Sequence, residues 1–110
     1  MRDGIYRVDF ISGRPETKGI AMLRAGLFKG IDEDRGFTGS LELTEGAVRG
    51  QITFRDASAQ VQPSFSVAAD DVGFKGVETP DGFDIHGMSE REAKKEYKLR
   101  ATWIAELRRT

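Results

Sequence analysis

The sequence predicts an all-β fold, a single antiparallel meander barrel of about eight strands that forms one domain over residues 1–110. Three observations predict it. Several runs alternate apolar and polar residues with a period of two, as half-buried antiparallel strands do. Turn signals recur about every 8–12 residues, a spacing typical of an all-β meander, sandwich or barrel. The 13 glycines are dispersed along the chain, which suits turns and strongly curved strands.

The alternation defines four strands most clearly. The first, IYRVDFIS, sets Tyr6, Val8 and Phe10 against the polar residues Arg7 and Asp9. The same pattern recurs in GFTGSLEL, AVRGQITFR and GFDIHG, where apolar side chains alternate with charged or hydroxyl ones. Each run therefore has one face suited to a core and one face suited to solvent.

Turn signals separate these runs. RAG (24–26) lies between the apolar runs IAML and LFKGI, and TEG (44–46) has the form of a tight hairpin. TPDG (79–82) places proline second and glycine fourth, which is a type I turn signature. We therefore expect short hairpin connections at all three places.

Three glycines fall on the apolar faces of the alternating runs, at Gly39, Gly50 and Gly87. A missing side chain at such a position lets a strand bend sharply, and barrels use inward glycines to turn their corners. Closure into a barrel also leaves no sheet edge free to aggregate. The glycines therefore favour a barrel over an open sheet.

The C-terminal region allows two interpretations. Ser89, with Glu92 three residues later, has the spacing of a capping box, and the alanine, glutamate and lysine content around it favours helix. We expect a short helical turn near 89–95, followed by a closing strand over about 97–108. A helix stays open as an alternative for this second segment, because its apolar residues also recur at helical spacing.

Composition argues against several classes of function. The chain has no cysteine, so disulfide scaffolds, thiolate catalysis and cysteine zinc sites are excluded. A net charge of −1 gives no electrostatic case for direct binding of nucleic acid. The N-terminus has no apolar signal region, and no stretch approaches the roughly 18 apolar residues of a membrane span. We expect a cytoplasmic protein that binds no membrane.

The sign of the charge changes along the chain. Residues 61–88 hold one lysine and five acids, whereas residues 89–110 hold seven lysines and arginines and four glutamates. Charge blocks of this length are usually solvated faces. We therefore expect neighbouring elements of opposite sign to pair with each other.

The sequence offers little for catalysis. His86, the single histidine, falls on the polar face of its run, which is more typical of a surface residue than of a base or ligand. No nucleophile elbow, glycine-rich phosphate loop or metal-ligand spacing occurs in the sequence. We predict a protein without enzymatic activity, catalytic residues or cofactor.

An acidic triplet, Asp32, Glu33 and Asp34, stands in the segment KGIDEDRGFTG. A polar turn, a metal loop and a partner-facing acidic patch are the three interpretations. A calcium loop needs oxygen ligands at alternating positions, but Arg35 would put a cation inside it and Phe37 stands where an oxygen is expected. We therefore predict no metal site, while the turn and the patch stay open.

Aromatic residues on the apolar faces either fill the core or line a cavity for an apolar ligand. A barrel of about eight strands is just wide enough for side chains to fill it or for one small ligand to enter. The candidate ligand-binding residues in the second case are Tyr6, Phe10, Phe37, Phe54 and Trp103.

Four short motifs follow one another along the chain. DGIYRVDFIS opens it, KGIAMLRAGLFKGID follows with a glycine, an apolar run, a turn and a glycine before Asp32, and QPSFSV and YKLRATWIAEL come later. In this order and spacing they resemble the GrlR-like family, the lipocalin-like negative regulators linked to type III secretion. Gly30 and Asp32 match the Gly-Gly-Asp of the family, Ile31 replaces its second glycine, Phe37 stands where the family often has tyrosine, and Gly39 matches the next glycine. QPSFSV is similar to the Pro-Ser-aliphatic step of the family, and YKLRATWIAEL takes the place of its last strand.

The resemblance implies an eight-stranded lipocalin-like barrel, often dimeric and without enzymatic activity, that regulates by binding a transcriptional activator rather than DNA. The best-known members carry a run of acids in the hairpin that corresponds to LTEGAV, associated with partner binding. Only Glu45 falls in that run here. With Glu33 and Asp34, which are additions peculiar to this chain, Glu45 completes the predicted partner-binding residues.

The sequence therefore predicts a non-enzymatic regulatory or adaptor protein that acts by protein–protein binding. The resemblance adds a negative regulator of a transcriptional activator and a homodimer. The alternative is a small carrier that holds an apolar ligand inside the barrel.

Overall fold

The computed structural model describes residues 1–11, 17–33, 35–56, 69–89 and 95–107. Eight antiparallel strands form a closed barrel in which each strand pairs with the next and the last pairs with the first. The strands are β1 Gly4–Phe10, β2 Thr17–Arg24, β3 Leu27–Asp32, β4 Arg35–Thr44, β5 Ala47–Asp56, β6 Ala69–Thr79, β7 Gly82–Ser89 and β8 Glu96–Ala105. The predicted all-β meander barrel is thereby confirmed.

The core follows the predicted alternation. In β1, Tyr6, Val8 and Phe10 are buried, whereas Arg7 between them is exposed. The remaining strands also contribute buried apolar side chains on one face, and in β3 this is Phe28 alone. Among the described residues the core is one cluster inside the barrel, and its members are Tyr6, Val8, Phe10, Ala21, Leu23, Phe28, Phe37, Leu41, Val48, Ile52, Phe54, Val72, Phe74, Phe83, Ile85, Tyr97, Leu99 and Ala101.

The barrel has two different ends. At the tight-turn end, two-residue turns join β2 to β3, β4 to β5 and β6 to β7. Ala25 and Gly26 have φ angles of 49° and 85°, and Glu45 and Gly46 have 51° and 82°. Two consecutive positive φ angles define the type I′ turn, whose twist matches that of a hairpin. The hairpins predicted at RAG and TEG are confirmed, as is the short connection at TPDG.

The loop end of the barrel is where β1, β3, β5 and β7 finish and β2, β4, β6 and β8 begin. Four connections therefore start and return there; the β3–β4 connection has two residues, and the other three are longer. The four connections contain residues 12–16, 34, 57–68 and 90–94, which lie outside the described residues. The segment QPSFSV of the family resemblance is among them.

The predicted inward glycines occupy places where no larger side chain fits. A Cβ on Gly39 would lie 2.0 Å from the carbonyl oxygen of Gln51, and one on Gly50 would lie 1.9 Å from that of Ser40. Real Cβ atoms do not approach a backbone oxygen so closely, so these two glycines let adjacent strands coil tightly. Gly87 is likewise inward and buried.

The C-terminal segment is a strand. Glu96–Ala105 forms β8 and closes the ring against β1, with Phe10 opposite Leu99 and Val8 opposite Ala101. The helical alternative for this segment is wrong, because β8 pairs along its length with β7 on one side and β1 on the other. The predicted strand limit of 108 was too long, since Glu106 and Leu107 lie outside the strand.

The predicted helical turn near 89–95 falls mostly on residues 90–94, which are not described. Of its described residues, Ser89 is the last residue of β7 and Lys95 has no regular structure. No helix in the described ranges is long and apolar enough to cross a membrane.

The two oppositely charged blocks meet on adjacent strands, as predicted. Asp84 on β7 lies opposite Arg100 on β8, and Arg100 Nε donates a hydrogen bond of 3.0 Å to Asp84 Oδ1. This contact raises the pKa of the Arg100 guanidinium. Both side chains are exposed to solvent, so the pair contributes little to stability.

Candidate functional site

Asp32 differs from its neighbour Glu33, because the Asp32 side chain is buried whereas Glu33 is exposed. Its carboxylate accepts hydrogen bonds from the Arg35 backbone N–H at 2.7 Å, from Arg35 Nη2 at 3.0 Å and from Thr17 Oγ1 at 3.3 Å. The side chain has an exposed fraction of 0%. Asp32 therefore fixes the start of β4 against the end of β3 and the start of β2, and is a structural residue.

Arg35 closes the loop end of the barrel above the aromatic core. Its guanidinium carbon lies 4.9 Å from the centre of the Phe10 ring, 5.1 Å from Phe54 and 5.5 Å from Tyr97. A guanidinium over ring faces is attracted by their quadrupoles, while Asp32 neutralises its charge. Arg35 is paired with the Asp32 carboxylate, which a metal loop would need as a ligand. The described residues contain no group of three or more metal-ligating side chains.

A second polar cluster, which the sequence reasoning missed, stands at the same end. Ser89 Oγ donates to the two carboxylate oxygens of Asp70 at 2.7 and 2.8 Å, and the Tyr97 hydroxyl donates to Asp70 Oδ2 at 3.0 Å. Burial raises the pKa of Tyr97, which Lys95 partly opposes. The sequence alternation could have indicated this cluster. Ser89 stands at an inward-facing position of β7, and Asp70 stands at an inward-facing position of β6.

Ser89, the first residue of the predicted capping box, is buried with an exposed fraction of 5% and donates to Asp70 across the sheet. Glu92, the other residue of that box, lies outside the described residues. Among the described residues, no buried side-chain nitrogen or oxygen lacks a hydrogen-bond partner. The buried polar side chains at the loop end are thus hydrogen-bonded, and their arrangement closes this end of the core.

The predicted partner-binding acids do not form one surface. Glu33 is exposed at the loop end, and Glu45 is exposed in the β4–β5 turn at the tight-turn end. The ten residues of β4 lie between them, a length of roughly 30 Å. Asp34 lies outside the described residues.

The predicted ligand-binding aromatics behave as core residues. The ring centres of Phe10, Phe37 and Phe54 lie 5.7–5.8 Å from one another near the loop end. Tyr6 packs on Phe83 at 5.4 Å farther along the barrel. Rings in edge-on or tilted contact at these distances are those of a packed interior, which does not favour the carrier alternative.

Trp103 stands apart from the other four aromatics, at the tight-turn end. The Arg2 guanidinium lies 3.6 Å from its ring centre, and Nε1 donates to the backbone oxygen of Asp3 at 3.3 Å. The indole is half-buried at the edge of the core. It covers the seam between β1 and β8 and does not line an inner cavity with the phenylalanines.

The described residues form a barrel with a packed apolar interior and hydrogen-bonded polar groups at its loop end. Similarity to known proteins indicates the role of this barrel. A family model described as T3SS negative regulator, GrlR, matches residues 1–107. The chain belongs to the GrlR family. No curated protein gives a significant match.

Membership of the GrlR family confirms the resemblance found in the sequence motifs. The family is described by a regulatory role in type III secretion, so the coarse function of this chain is regulation. Within the family pattern, Gly30 and Asp32 have structural reasons to be present. A Cβ on Gly30 would lie 2.4 Å from the backbone oxygen of Ile20, and Asp32 holds the β3–β4 connection.

His86 lies where the alternation placed it, exposed on the outer face of β7. Its neighbours across the sheet are Lys75 on β6 and Lys98 on β8. No acid that could orient an imidazole for proton transfer is paired with it among the described residues. The GrlR-family barrel therefore presents His86 as part of a charged outer surface.

Proposed function

We propose that this protein is a non-enzymatic regulator that acts by binding another protein, as a negative regulator of a transcriptional activator. The observation that carries this proposal is the match of the GrlR model to residues 1–107. The site geometry supports it, because the polar groups at the loop end are engaged with one another and the inner aromatics pack together. Such a barrel offers its outer surface, rather than its interior, to a partner. We also propose a cytoplasmic location, where an activator would be met.

For the contact surface, we propose the exposed acids. Glu33 adjoins the buried Asp32–Arg35 pair, which fixes the backbone on both sides of the short β3–β4 connection. A fixed backbone beside an exposed carboxylate suits contact with a basic surface, because little backbone freedom is lost on binding. With Asp34, it forms the contact at the loop end, and Glu45 forms a separate contact at the tight-turn end.

The experiment is affinity purification of the tagged protein from its native cell, with the wild type and two charge-reversal variants. We expect a stoichiometric protein partner, and we expect Glu33→Lys/Asp34→Lys or Glu45→Lys to release it. Glu106→Lys is the control, since its side chain has an exposed fraction of 78% and is outside the predicted set. If the wild type recovers only itself, the proposed function is wrong.

We further propose that the protein is a homodimer that uses the outer face of β2 and β3. Ile20 lies directly opposite Ile31 on this face, and their exposed fractions are 55% and 65%. A pair of exposed β-branched side chains on adjacent strands forms a self-complementary apolar strip, as a two-fold interface requires. Covering the strip with its own copy removes both side chains from water.

A further inference from the structure

A row of basic side chains crosses the outer face of the barrel. Arg49 on β5 lies opposite Lys75 on β6, and Lys75 lies opposite His86 on β7. Lys98 on β8 extends the row and contacts Glu96 at 3.7 Å. We call Arg49, Lys75, His86 and Lys98 the basic row. All four are exposed, and the row spans about 14 Å across three strand spacings.

The basic row holds one pair of like charges. Arg49 and Lys75 lie directly opposite each other on adjacent strands and therefore repel each other. In the described part of the chain, no acid lies within ion-pair distance of Arg49, Lys75 or His86. Glu42 on β4 is the strand partner of Arg49, yet it too makes no ion pair with it. A negatively charged ligand would relieve this repulsion.

A groove accompanies the row on the same face. It has a volume of about 600 Å³ and is lined by Arg49, Gln51, Lys75, His86 and Met88, with Gly73 among them. Gly73 is on the outer face, and a Cβ added to it would meet no atom within 4 Å. The missing side chain thus opens the groove floor. Met88, with an exposed fraction of 49%, provides an apolar wall.

We propose that this groove and the basic row bind an acidic segment of a protein partner, with an apolar side chain seated against Met88. The carboxylates would lie along Arg49, Lys75 and His86, where charge-assisted hydrogen bonds replace the repulsion. This surface is distinct from the acids at Glu33 and Glu45, so the proposal goes beyond the proposed function and does not depend on it.

The surroundings of the row favour a peptide over a nucleic acid. Asp84 and Glu96 flank the row on its two sides. A phosphate backbone that continued past the row would approach these acids, whereas a short acidic segment would not. The net charge of −1 also gives no long-range attraction for a polyanion.

The test measures binding of a fluorescent synthetic peptide of Glu, Asp and Leu by anisotropy, beside a matched peptide with Gln and Asn in place of the acids. We expect the wild type to bind the acidic peptide and not the amide peptide. Arg49→Glu/Lys75→Glu should weaken binding about tenfold or more, because each reversal removes an attraction and adds a repulsion. The control Arg7→Glu/Arg55→Glu makes the same charge change on exposed positions of β1 and β5 outside the basic row, and its affinity should stay within about twofold of wild type.

A third variant separates shape from charge. Gly73→Leu fills the groove floor without altering any charge, and the open space at Gly73 lets the barrel fold. We expect it to weaken the acidic peptide as strongly as the charge reversals do. If the Arg49→Glu/Lys75→Glu variant shows no cooperative thermal unfolding, the neutral variant Arg49→Gln/Lys75→Gln takes its place.

Three results would overturn the proposal. The first is that the wild-type protein binds neither peptide. The second is an equal loss of affinity in the basic-row variant and in the Arg7→Glu/Arg55→Glu control, which would show that only the net charge matters. The third is a duplex oligonucleotide that binds more tightly than the acidic peptide and loses affinity in the basic-row variant, which would assign the row to nucleic acid.

Discussion

Replacing Asp32 by alanine should destabilise the barrel far more than replacing its neighbour Glu33. Asp32 is buried and accepts three hydrogen bonds, two of them from Arg35, whose side chain has an exposed fraction of 17%. Removing one partner of a buried ion pair costs about 3–5 kcal/mol. Because Arg35 keeps some contact with water, the lower end applies, and we expect a loss of about 3 kcal/mol.

The stability of Asp32→Ala can be measured by urea unfolding, followed by the fluorescence of Trp103, the single tryptophan, at the opposite end of the barrel. For a domain of this size, a loss of about 3 kcal/mol lowers the melting temperature by roughly 12 °C. Glu33→Ala, which changes an exposed side chain, should stay within about 0.5 kcal/mol of wild type. This pair of variants compares two adjacent acids in one turn.

A double-mutant cycle tests whether the loss comes from the pair itself. Arg35→Ala also removes the guanidinium from the rings of Phe10, Phe54 and Tyr97, so it should destabilise by itself. In Asp32→Ala/Arg35→Ala no unpaired buried charge is left, so its loss should be about 1–3 kcal/mol smaller than the sum of the single losses. Equal effects of Asp32→Ala and Glu33→Ala, or strict additivity in the cycle, would refute the structural role of Asp32.

Three further predictions concern the dimer, the barrel corners and high pH. Ile31→Lys, which places a charge in the exposed apolar strip, should convert a dimer to a folded monomer by light scattering; an unchanged mass would contradict the proposed interface. Gly50→Val should prevent folding, as judged by circular dichroism, because its Cβ would lie 1.9 Å from the Ser40 oxygen, while Gly73→Val should fold normally, and equal behaviour of the two would contradict the argument. The pKa of Tyr97 is raised above 10.0, first by burial, so the native state holds this proton more tightly than the unfolded chain. Its contribution is complete below the unfolded pKa and is lost as pH rises through the native one; Tyr97→Phe should flatten the alkaline fall in stability, and an unchanged slope would show that another group causes it.

Most of the barrel could be predicted because period-two alternation and turn chemistry are local signals. β1, β4, β5 and β7 alternate clearly, and the positive φ angles of two turns coincide with glycine-containing tripeptides. The strand β6 was harder to predict because Asp70 faces inward, which contradicts the simple pattern. Among the described residues, its carboxylate accepts hydrogen bonds from Ser89 and Tyr97, which are 19 and 27 residues away.

The sites depend on register, which the sequence does not display. Arg49, Lys75 and His86 are far apart in the chain and become neighbours only when β5, β6 and β7 pair in this alignment. In the acidic triplet, Arg35 and Phe37 argued against a metal loop and Asp32 matched the family motif, but the sequence did not show that the Asp32 side chain is buried. The sequence could not show that Glu33 and Glu45 lie at opposite ends of the barrel, because their separation depends on β4 running from one end to the other.

The pairing of β1 with β8 has a consequence for how the protein is made. These strands, Gly4–Phe10 and Glu96–Ala105, are the first and last of the ring, so the ribosome releases one long before the other. During synthesis, β1 can join β2 but must wait with its other edge unpaired until nearly the whole domain has emerged. Such non-local closure is slow and leaves a strand edge open to wrong partners. Completing this seam pairs the last two open strand edges and converts the curved sheet into a closed barrel.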